Sequence, residues 1–360
     1  MAIRLLFLFA LSFFFPFLLH ASDTSTATLI AEGHYKRAEA ILTNRLKTNP
    51  NDARSYEEMS KVSEAFAHWD EAIQQAEKAV ALGPKVPEFQ AALADAIGSK
   101  LSGAQLGTFQ KLSLARRFKK EAELAVRLDP NNVDASQDLM EFHLDAPRIL
   151  GGDKKRAAEL ADHMVYVNPV RGYLMKFEFA KHEKKNGELE SLLKQAIDAD
   201  PKSYEARMQA ANFYLGKGAS GLPQAEEHAR QVIHIAAGSV RGYNTMAAVY
   251  AQQGRWKELD SMLAEAQRAV PDDLTPFYQA ANAILAGNGT QELPRAESYM
   301  RAYLAQPPEG AEPSLAEAHW RLALILNKEG HRDQAKQQLK QAVALDPALE
   351  SAKKDLKRLQ

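Results

Sequence analysis

The chain has 360 residues, of which 46% are hydrophobic and 25% are charged, and its formal net charge is -1. This balance is typical of a core-forming protein without an electrostatic bias, and it gives no support to a nucleic-acid partner. The sequence contains no cysteine, which excludes disulfides, zinc-thiolate sites and a thiol nucleophile.

The N-terminal segment, residues 1–21, differs in kind from the rest of the chain. Arg4 supplies a positive charge, Leu5 to Leu19 is an almost unbroken apolar run, and Ala21 is the small residue that signal peptidase requires. These features predict a secretory signal peptide, cleaved after Ala21. The apolar run is shorter than the roughly 20 residues of a membrane-spanning helix, and Pro16 disfavours a stable anchor.

The expected cleavage implies an exported protein that keeps no stable membrane span. An exported chain of this size without cysteine has to be stable without disulfides, which favours a bacterial periplasm. An extracellular location is the alternative.

A recurring sequence marks the rest of the chain as repetitive. Its variants are AVALGP at 79–84, AVRLDP at 125–130, AIDADP at 196–201 and AVALDP at 342–347. These and similar endings follow one another at steps of 32 to 46 residues, which a unit of 34 residues with insertions at its turns explains. Within a unit, apolar residues recur at steps of three to four in two runs that a turn such as Gly330 separates.

The repeat pattern resembles the tetratricopeptide repeat family over nearly the whole chain after the signal segment. The unit from Val240 to Pro271 carries residues at the key positions of that family, namely Tyr243, Met246, Ala247, Tyr250, Gly254, Trp256, Leu259, Leu263 and Ala266. The resemblance implies an all-α fold, an α-solenoid wound as a right-handed superhelix of about nine helix pairs.

The predicted solenoid covers residues 23–349. Its units begin near Asp23, Ala53, Val86, Val133, Val170, Tyr204, Val240, Leu274 and Ala316. The first unit is truncated, because its first helix would start inside the signal segment. At the other end an amphipathic helix, completed by residues 350–360, is expected to cap the last exposed face, with Leu349 and Leu356 on its inner side.

Two inserts interrupt the regular period, Gly98 to Thr108 in the third unit and Asp145 to Ala157 in the fourth. Lengthened turns and specificity loops are both compatible with them. Asp134 and Asp138 are spaced to share one helix face, with Glu141 and Asp145 one and two turns further along, and we interpret these acidic residues as a solvated stripe.

Gly216, Gly218 and Gly221 have the G-x-G-x-x-G spacing of a dinucleotide-binding loop. That motif needs a preceding strand, whereas the preceding residues, SYEARMQAANFYL, are helical in pattern. The glycines therefore predict a turn between the two helices of the sixth unit, and no cofactor is expected.

Signatures of catalysis and metal binding are absent from the sequence. It contains no phosphate-binding G-x-x-x-x-G-K-[ST], no H-E-x-x-H and no nucleophile elbow. His34, His68 and His331 occupy the same place in their units, and the other histidines do not form i, i+4 pairs. We therefore predict no catalytic residues and no metal site.

The family resemblance implies that the second, fifth, ninth and twelfth positions of each unit face a concave groove. In the N-terminal units these positions form a mixed charged surface of Arg54, Glu57, Lys61, Glu64, Gln137, Glu141, Glu178 and Lys181. In the C-terminal units the candidate peptide-groove residues are Met208, Asn212, Leu215, Asn244, Tyr278, Asn282, Trp320 and Asn327.

Asparagine amides both donate to and accept from a peptide backbone, and aromatic side chains bury apolar groups of a partner. The alternative is that the tyrosine and tryptophan pack between units and the asparagines are incidental. No unit has lysine at its fifth position, so a clamp for a C-terminal carboxylate is not supported.

Together these patterns predict a non-enzymatic scaffold of the cell envelope that binds a protein or peptide in its concave groove. A self-associating structural or assembly factor, stacking through its truncated first unit, is the alternative. An enzyme with a site in the inserts is the third hypothesis.

Overall fold

The computed structural model describes residues 25–287 and 289–359, so the expected signal peptide and its cleavage position lie outside the described residues. Within those ranges the chain forms nineteen α-helices and no strand. The α-helices are α1 (Thr26–Glu32), α2 (Tyr35–Thr48), α3 (Ala53–Ala65), α4 (Trp69–Leu82), α5 (Pro87–Gly103), α6 (Thr108–Leu128), α7 (Val133–Asp145), α8 (Lys154–Val167), α9 (Pro169–His182), α10 (Leu189–Ala199), α11 (Tyr204–Gly216), α12 (Leu222–Ile235), α13 (Val240–Gln253), α14 (Trp256–Ala269), α15 (Thr275–Ala286), α16 (Leu293–Tyr303), α17 (Leu315–Lys328), α18 (Arg332–Leu345) and α19 (Glu350–Leu359).

The helices pack as successive pairs. Each helix contacts the next one along the chain, and first helices also contact the first helix of a neighbouring unit, as α3 does α5 and α13 does α15. The predicted α-solenoid of tetratricopeptide type is confirmed. In the described residues α1 has only seven residues, and α19 covers the last pair, with Ala352 fully buried.

Helix starts follow the local sequence. The side chains of Asp52, Asn132, Asn168 and Ser203 each accept a hydrogen bond from a backbone N–H of the first turn that follows, which satisfies donors that have no partner within the helix. Proline occupies the first turn of α5, α9, α12, α15 and α16, where its missing N–H costs nothing.

Alanine sets the close packing of the second helices. Six alanines occupy the same position of six second helices, each with 0% of its surface exposed: Ala38, Ala72, Ala157, Ala225, Ala296 and Ala335. A small side chain at each crossing lets two helix backbones approach closely, since interaxial distance depends on the residues at the contact.

The insert at 98–108 is largely helical. It lengthens α5 to 17 residues and α6 to 21 residues, leaving only 104–107 as a connection. The insert at 145–157 forms a turn with a short 3-10 helix, Arg148–Leu150, before α8 begins at Lys154.

The glycine-rich segment after α11 is a turn that contains the 3-10 helix Gly218–Ser220. Gly218 has a φ of +64°, and a Cβ on Gly221 would lie 2.0 Å from the carbonyl oxygen of Tyr214. These two glycines are therefore required by backbone geometry. A Cβ on Gly216 would meet nothing within 4 Å among the described residues.

Gly221→Ala is expected to destabilise the protein by about 1–3 kcal/mol, because the new methyl group overpacks against backbone. Gly216→Ala, in the last turn of α11, is the matched control and should leave stability unchanged or slightly higher. Thermal unfolding followed by circular dichroism measures both. Equal midpoints for the two variants would contradict this reading of the turn.

Candidate functional site

The first unit contacts the loops that follow the sixth, seventh and eighth units. His34, between α1 and α2, is 3% exposed. Its Nδ1 lies 3.0 Å from Oδ2 of Asp272, and its Nε2 lies 2.9 Å from the carbonyl oxygen of Gly238. Both partners are acceptors, so the doubly protonated imidazolium satisfies both contacts.

The loop between α16 and α17 makes a second set of contacts with the first two units. Glu309, which is 4% exposed, accepts a hydrogen bond from the backbone N–H of Lys36 at 2.8 Å, and the Lys36 ammonium donates to the carbonyl oxygen of Pro307 at 2.8 Å. The N–H of Ala311 donates to the carbonyl oxygen of Ala65 at 2.8 Å. These contacts bring the two halves of the solenoid together.

The closure forms one wall of a cavity of about 770 Å³ that stays partly open to solvent, called here the interior cavity. Asn244 on α13 and Tyr278 and Asn282 on α15 line one side of it. The opposite side is formed by the first three units, through residues such as Tyr35 and Trp69. The structure thus brings three of the predicted groove residues together and places the first unit over them.

Asn244 is a polar group with unused binding capacity. Its Oδ1 is buried and has no hydrogen-bond partner among the described residues. A buried amide oxygen without a donor is costly, and a backbone N–H of a bound peptide would supply one.

Carboxyl groups outnumber cations in the lining of the interior cavity. Its described lining has one guanidinium, that of Arg241, and six carboxyl groups, those of Glu32, Glu64, Asp273, Glu309, Glu312 and Glu317. Two of these pair with cations just outside the lining, Glu309 with Lys36 at 3.4 Å and Glu317 with Arg321 at 3.0 Å. Burial, with repulsion from Asp95, raises the pKa of Glu64 to about 8. Burial also raises the pKa values of Asp273 and Glu309. With a pKa of about 8, Glu64 is mostly protonated at neutral pH, so the negative charge of the cavity is smaller than its number of carboxyl groups.

The remaining predicted groove residues lie elsewhere. Met208 and Asn212 line a smaller cavity of about 340 Å³ together with Arg171 and Glu178. Trp320 donates from Nε1 to Asp355 of α19 at 2.9 Å, so it also holds the capping helix. Leu215 packs against the large core of the C-terminal units, and Asn327 is exposed near the end of α17.

The acidic stripe on α7 is not uniformly solvated, contrary to the sequence-based interpretation. Asp134 is exposed and pairs with Arg171 at 3.0 Å. Oδ2 of Asp138, by contrast, is buried and has no hydrogen-bond partner in the described part of the chain. The lengthened α5 and α6 enclose this part of α7, which the helical period alone does not show.

One cluster of three potential metal ligands occurs in the described residues, formed by Glu297, Glu329 and His331. The guanidinium of Arg301 donates to Glu297 at 2.7 Å, so a cation of the chain already neutralises part of this cluster. Its arrangement is that of an ion-pair network between α16 and the turn before α18.

No helix in the described ranges combines the length and the apolar character needed to cross a membrane.

Comparisons with known proteins agree with the fold. No protein-family description matches the chain, and no curated protein sequence matches it. Among solved structures, yeast Tom70 has a TM-score of 0.51 and 12% identity, covering 93% of this chain and 79% of Tom70. A human IFIT1 dimer with m7Gppp-AAAA has a TM-score of 0.48 and 16% identity, covering 93% of this chain and 79% of that one.

The likeness to Tom70 agrees with the observed fold, a helical solenoid of tetratricopeptide type. At this level of identity it shows the fold alone.

The contact of His34 with Asp272 is expected to depend on pH. The hydrogen bond to Asp272 raises the pKa of His34 above its ordinary 6.5, and the same bond lowers the pKa of Asp272 below its ordinary 3.8. The His34 contribution is present below 6.5 and lost as pH rises through its raised folded value. The Asp272 contribution is present above 3.8 and lost as pH falls through its lowered value. The contact therefore stabilises closure most between about pH 4 and 6.5.

Asp272→Asn should speed hydrogen exchange in α2 about tenfold at pH 5.5, since a hydrogen bond to a charged group is lost. The ratio of exchange rates between variant and wild type at one pH cancels the intrinsic pH dependence of exchange. This ratio should fall severalfold by pH 8.5. Asp162→Asn, which removes an exposed partner of Lys176 at 2.7 Å, is the control, and a ratio constant with pH would contradict the assignment.

Proposed function

We propose that the chain is a non-enzymatic scaffold that binds an extended segment of a partner protein in its interior cavity. The observation that carries the proposal is the convergence of Asn244, Tyr278 and Asn282 on one cavity, with Oδ1 of Asn244 buried and without a partner among the described residues. Amides positioned along a groove satisfy peptide N–H and C=O groups independently of the peptide sequence.

The charge of the interior cavity limits the chemical classes of partner that it can bind. Carboxyl groups still outnumber cations in the lining after Glu309 pairs with Lys36 and Glu317 with Arg321, which disfavours phosphate groups, so the proposed partner is a neutral or basic protein segment. The composition already gave no support to a nucleic-acid partner. The net charge of -1 does not indicate, however, that acidic groups are concentrated inside the solenoid.

The proposed location is the cell envelope of a bacterium, most simply its periplasm, with an extracellular location as the alternative. The support is the apolar segment with Arg4 before it and Ala21 after it, which has the organisation of a signal peptide. The proposal includes no catalysis and no cofactor, because the residues named in the cavity provide recognition groups and no nucleophile beside a base.

Removal of the cavity amides is expected to weaken peptide binding. Asn244→Ala and Asn282→Ala should each raise the Kd of a peptide selected from a random library by about two- to tenfold, the effect of one neutral hydrogen bond. Isothermal titration calorimetry measures the change. Asn327→Ala, at an exposed position of α17, is the matched control. An unchanged Kd in both cavity variants would contradict peptide binding in the interior cavity.

Self-association through the first unit remains the alternative hypothesis. In the structure, His34 and Lys36 of that unit contact loops of the same chain, so association would have to use a different face. A single monomeric species in sedimentation at high protein concentration would contradict it.

A further inference from the structure

The two inserts meet in space and line a second cavity of about 620 Å³ that opens to solvent, called here the insert cavity. Its walls come from the ends of α5 and α7, the start of α6 and the turn after α7. The space arises because α5 and α6 extend beyond the neighbouring helices of the stack. They have 17 and 21 residues, whereas α7 has 13. It is separate from the interior cavity, and the two share no lining residue among those described.

The walls of the insert cavity are apolar on one side and acidic on the other. Leu101, Leu112, Phe118, Phe142 and Leu150 form the apolar part. The acidic part consists of four carboxylates, against one ammonium, that of Lys111, among the described lining residues; the carboxylates are those of Asp95, Asp138, Glu141 and Asp145.

Asp138 points to a missing cationic partner. Its Oδ2 is buried and without a hydrogen-bond partner in the described ranges. Burial, together with the nearby charges of Asp95 and Glu141, raises the pKa of Asp138 well above its usual value. The carboxylate therefore lies among like charges in a place that an ammonium or guanidinium group would stabilise. The C-terminal turns of α5 and α7 also border the cavity, and helix C-termini favour positive charge.

The rim of the cavity is unusually apolar for a surface. Phe109, next to the lining residue Thr108, is 88% exposed, and Ile149, next to the lining residue Leu150, is 93% exposed. Ile149 lies within the second insert, and Phe109 directly follows the first. Because both are next in sequence to residues that line the cavity, they offer apolar contacts to a partner that enters it.

We propose that the insert cavity binds a lysine or arginine side chain of a partner protein, with apolar residues on either side of it in the partner sequence. The carboxylates of Asp138 and Glu141 bind the cation, the apolar wall contacts its aliphatic stem, and Phe109 and Ile149 contact the flanking residues. A peptide fits better than a free amine, because a free amine would fill the cavity and leave both rim residues in solvent.

The test uses the full chain and three probes. These are a fluorescein-labelled peptide of sequence Ala-Leu-Lys-Leu-Ala, the same peptide with norleucine in place of lysine, and pentylamine as a competitor. Norleucine keeps the stem and removes the charge. Fluorescence anisotropy is expected to show binding of the lysine peptide, at least about tenfold weaker binding of the norleucine peptide, and weak competition by pentylamine.

Two variants locate the site. Asp138→Asn should weaken the lysine peptide about tenfold, whereas Asp134→Asn, on the same helix but paired with Arg171 outside the cavity, should not. Ile149→Ser changes a side chain that is 93% exposed, so folding is not at risk, and it should weaken the peptide without affecting pentylamine.

Equal binding of the lysine and norleucine peptides, or no binding of either, would overturn the proposal. Pentylamine that binds as tightly as the peptide would overturn the assignment to a partner protein. The interior cavity is proposed to bind peptides independently of their sequence, so the difference in affinity between the lysine and norleucine peptides reports on the insert cavity. Asn244→Ala, in the interior cavity, should leave that difference unchanged, whereas Asp138→Asn should remove it, so a failure of this site and a failure of the proposed function are distinguishable.

Discussion

The imidazole of His34, held between the carboxylate of Asp272 and the carbonyl of Gly238, closes the solenoid. The partners of this contact are 238 and 204 residues away in sequence. A stack of helix pairs has only neighbour contacts by itself, so it is an open spiral whose groove is exposed to water. Once the first unit meets the loops beyond the sixth unit, with Glu309 and Ala311 adding further contacts, the groove has an opposite wall and becomes a cavity with two sides.

Enclosure changes the chemistry of side chains that would be ordinary on an open surface. Glu64 shows this: burial and a neighbouring carboxylate raise its pKa to about 8, and a serine, Ser99, donates to it at 2.7 Å. Carboxyl groups gathered in a partly buried place are unfavourable when charged, so they either keep a proton or pair with a cation. The interior cavity and the insert cavity share this property, although they are built from different helices and offer different apolar surfaces.

The sequence could predict those parts of the site whose residues recur at the same position of the 34-residue repeat. Asn244, Tyr278 and Asn282 occupy equivalent helix faces, and they meet because neighbouring first helices pack side by side. Trp320 lies on the equivalent helix face of its unit, but the next helix in the stack is α19. The indole N–H of Trp320 therefore donates a hydrogen bond to Asp355 of α19. The buried state of Asp138 could not be predicted, because it depends on helices lengthened by an insert whose conformation carries no periodic signal.

The sequence by itself determined the helices, their pairing and the class of fold, because apolar periodicity, capping residues and turn glycines act over a few residues and repeat in every unit. Only the tertiary structure decided which surfaces are enclosed. The closure by His34 and the meeting of the two inserts depend on the summed rotation of many units and on contacts between distant residues. Small differences in each unit accumulate along the stack, so no local pattern specifies where the first unit meets the loops of the later ones.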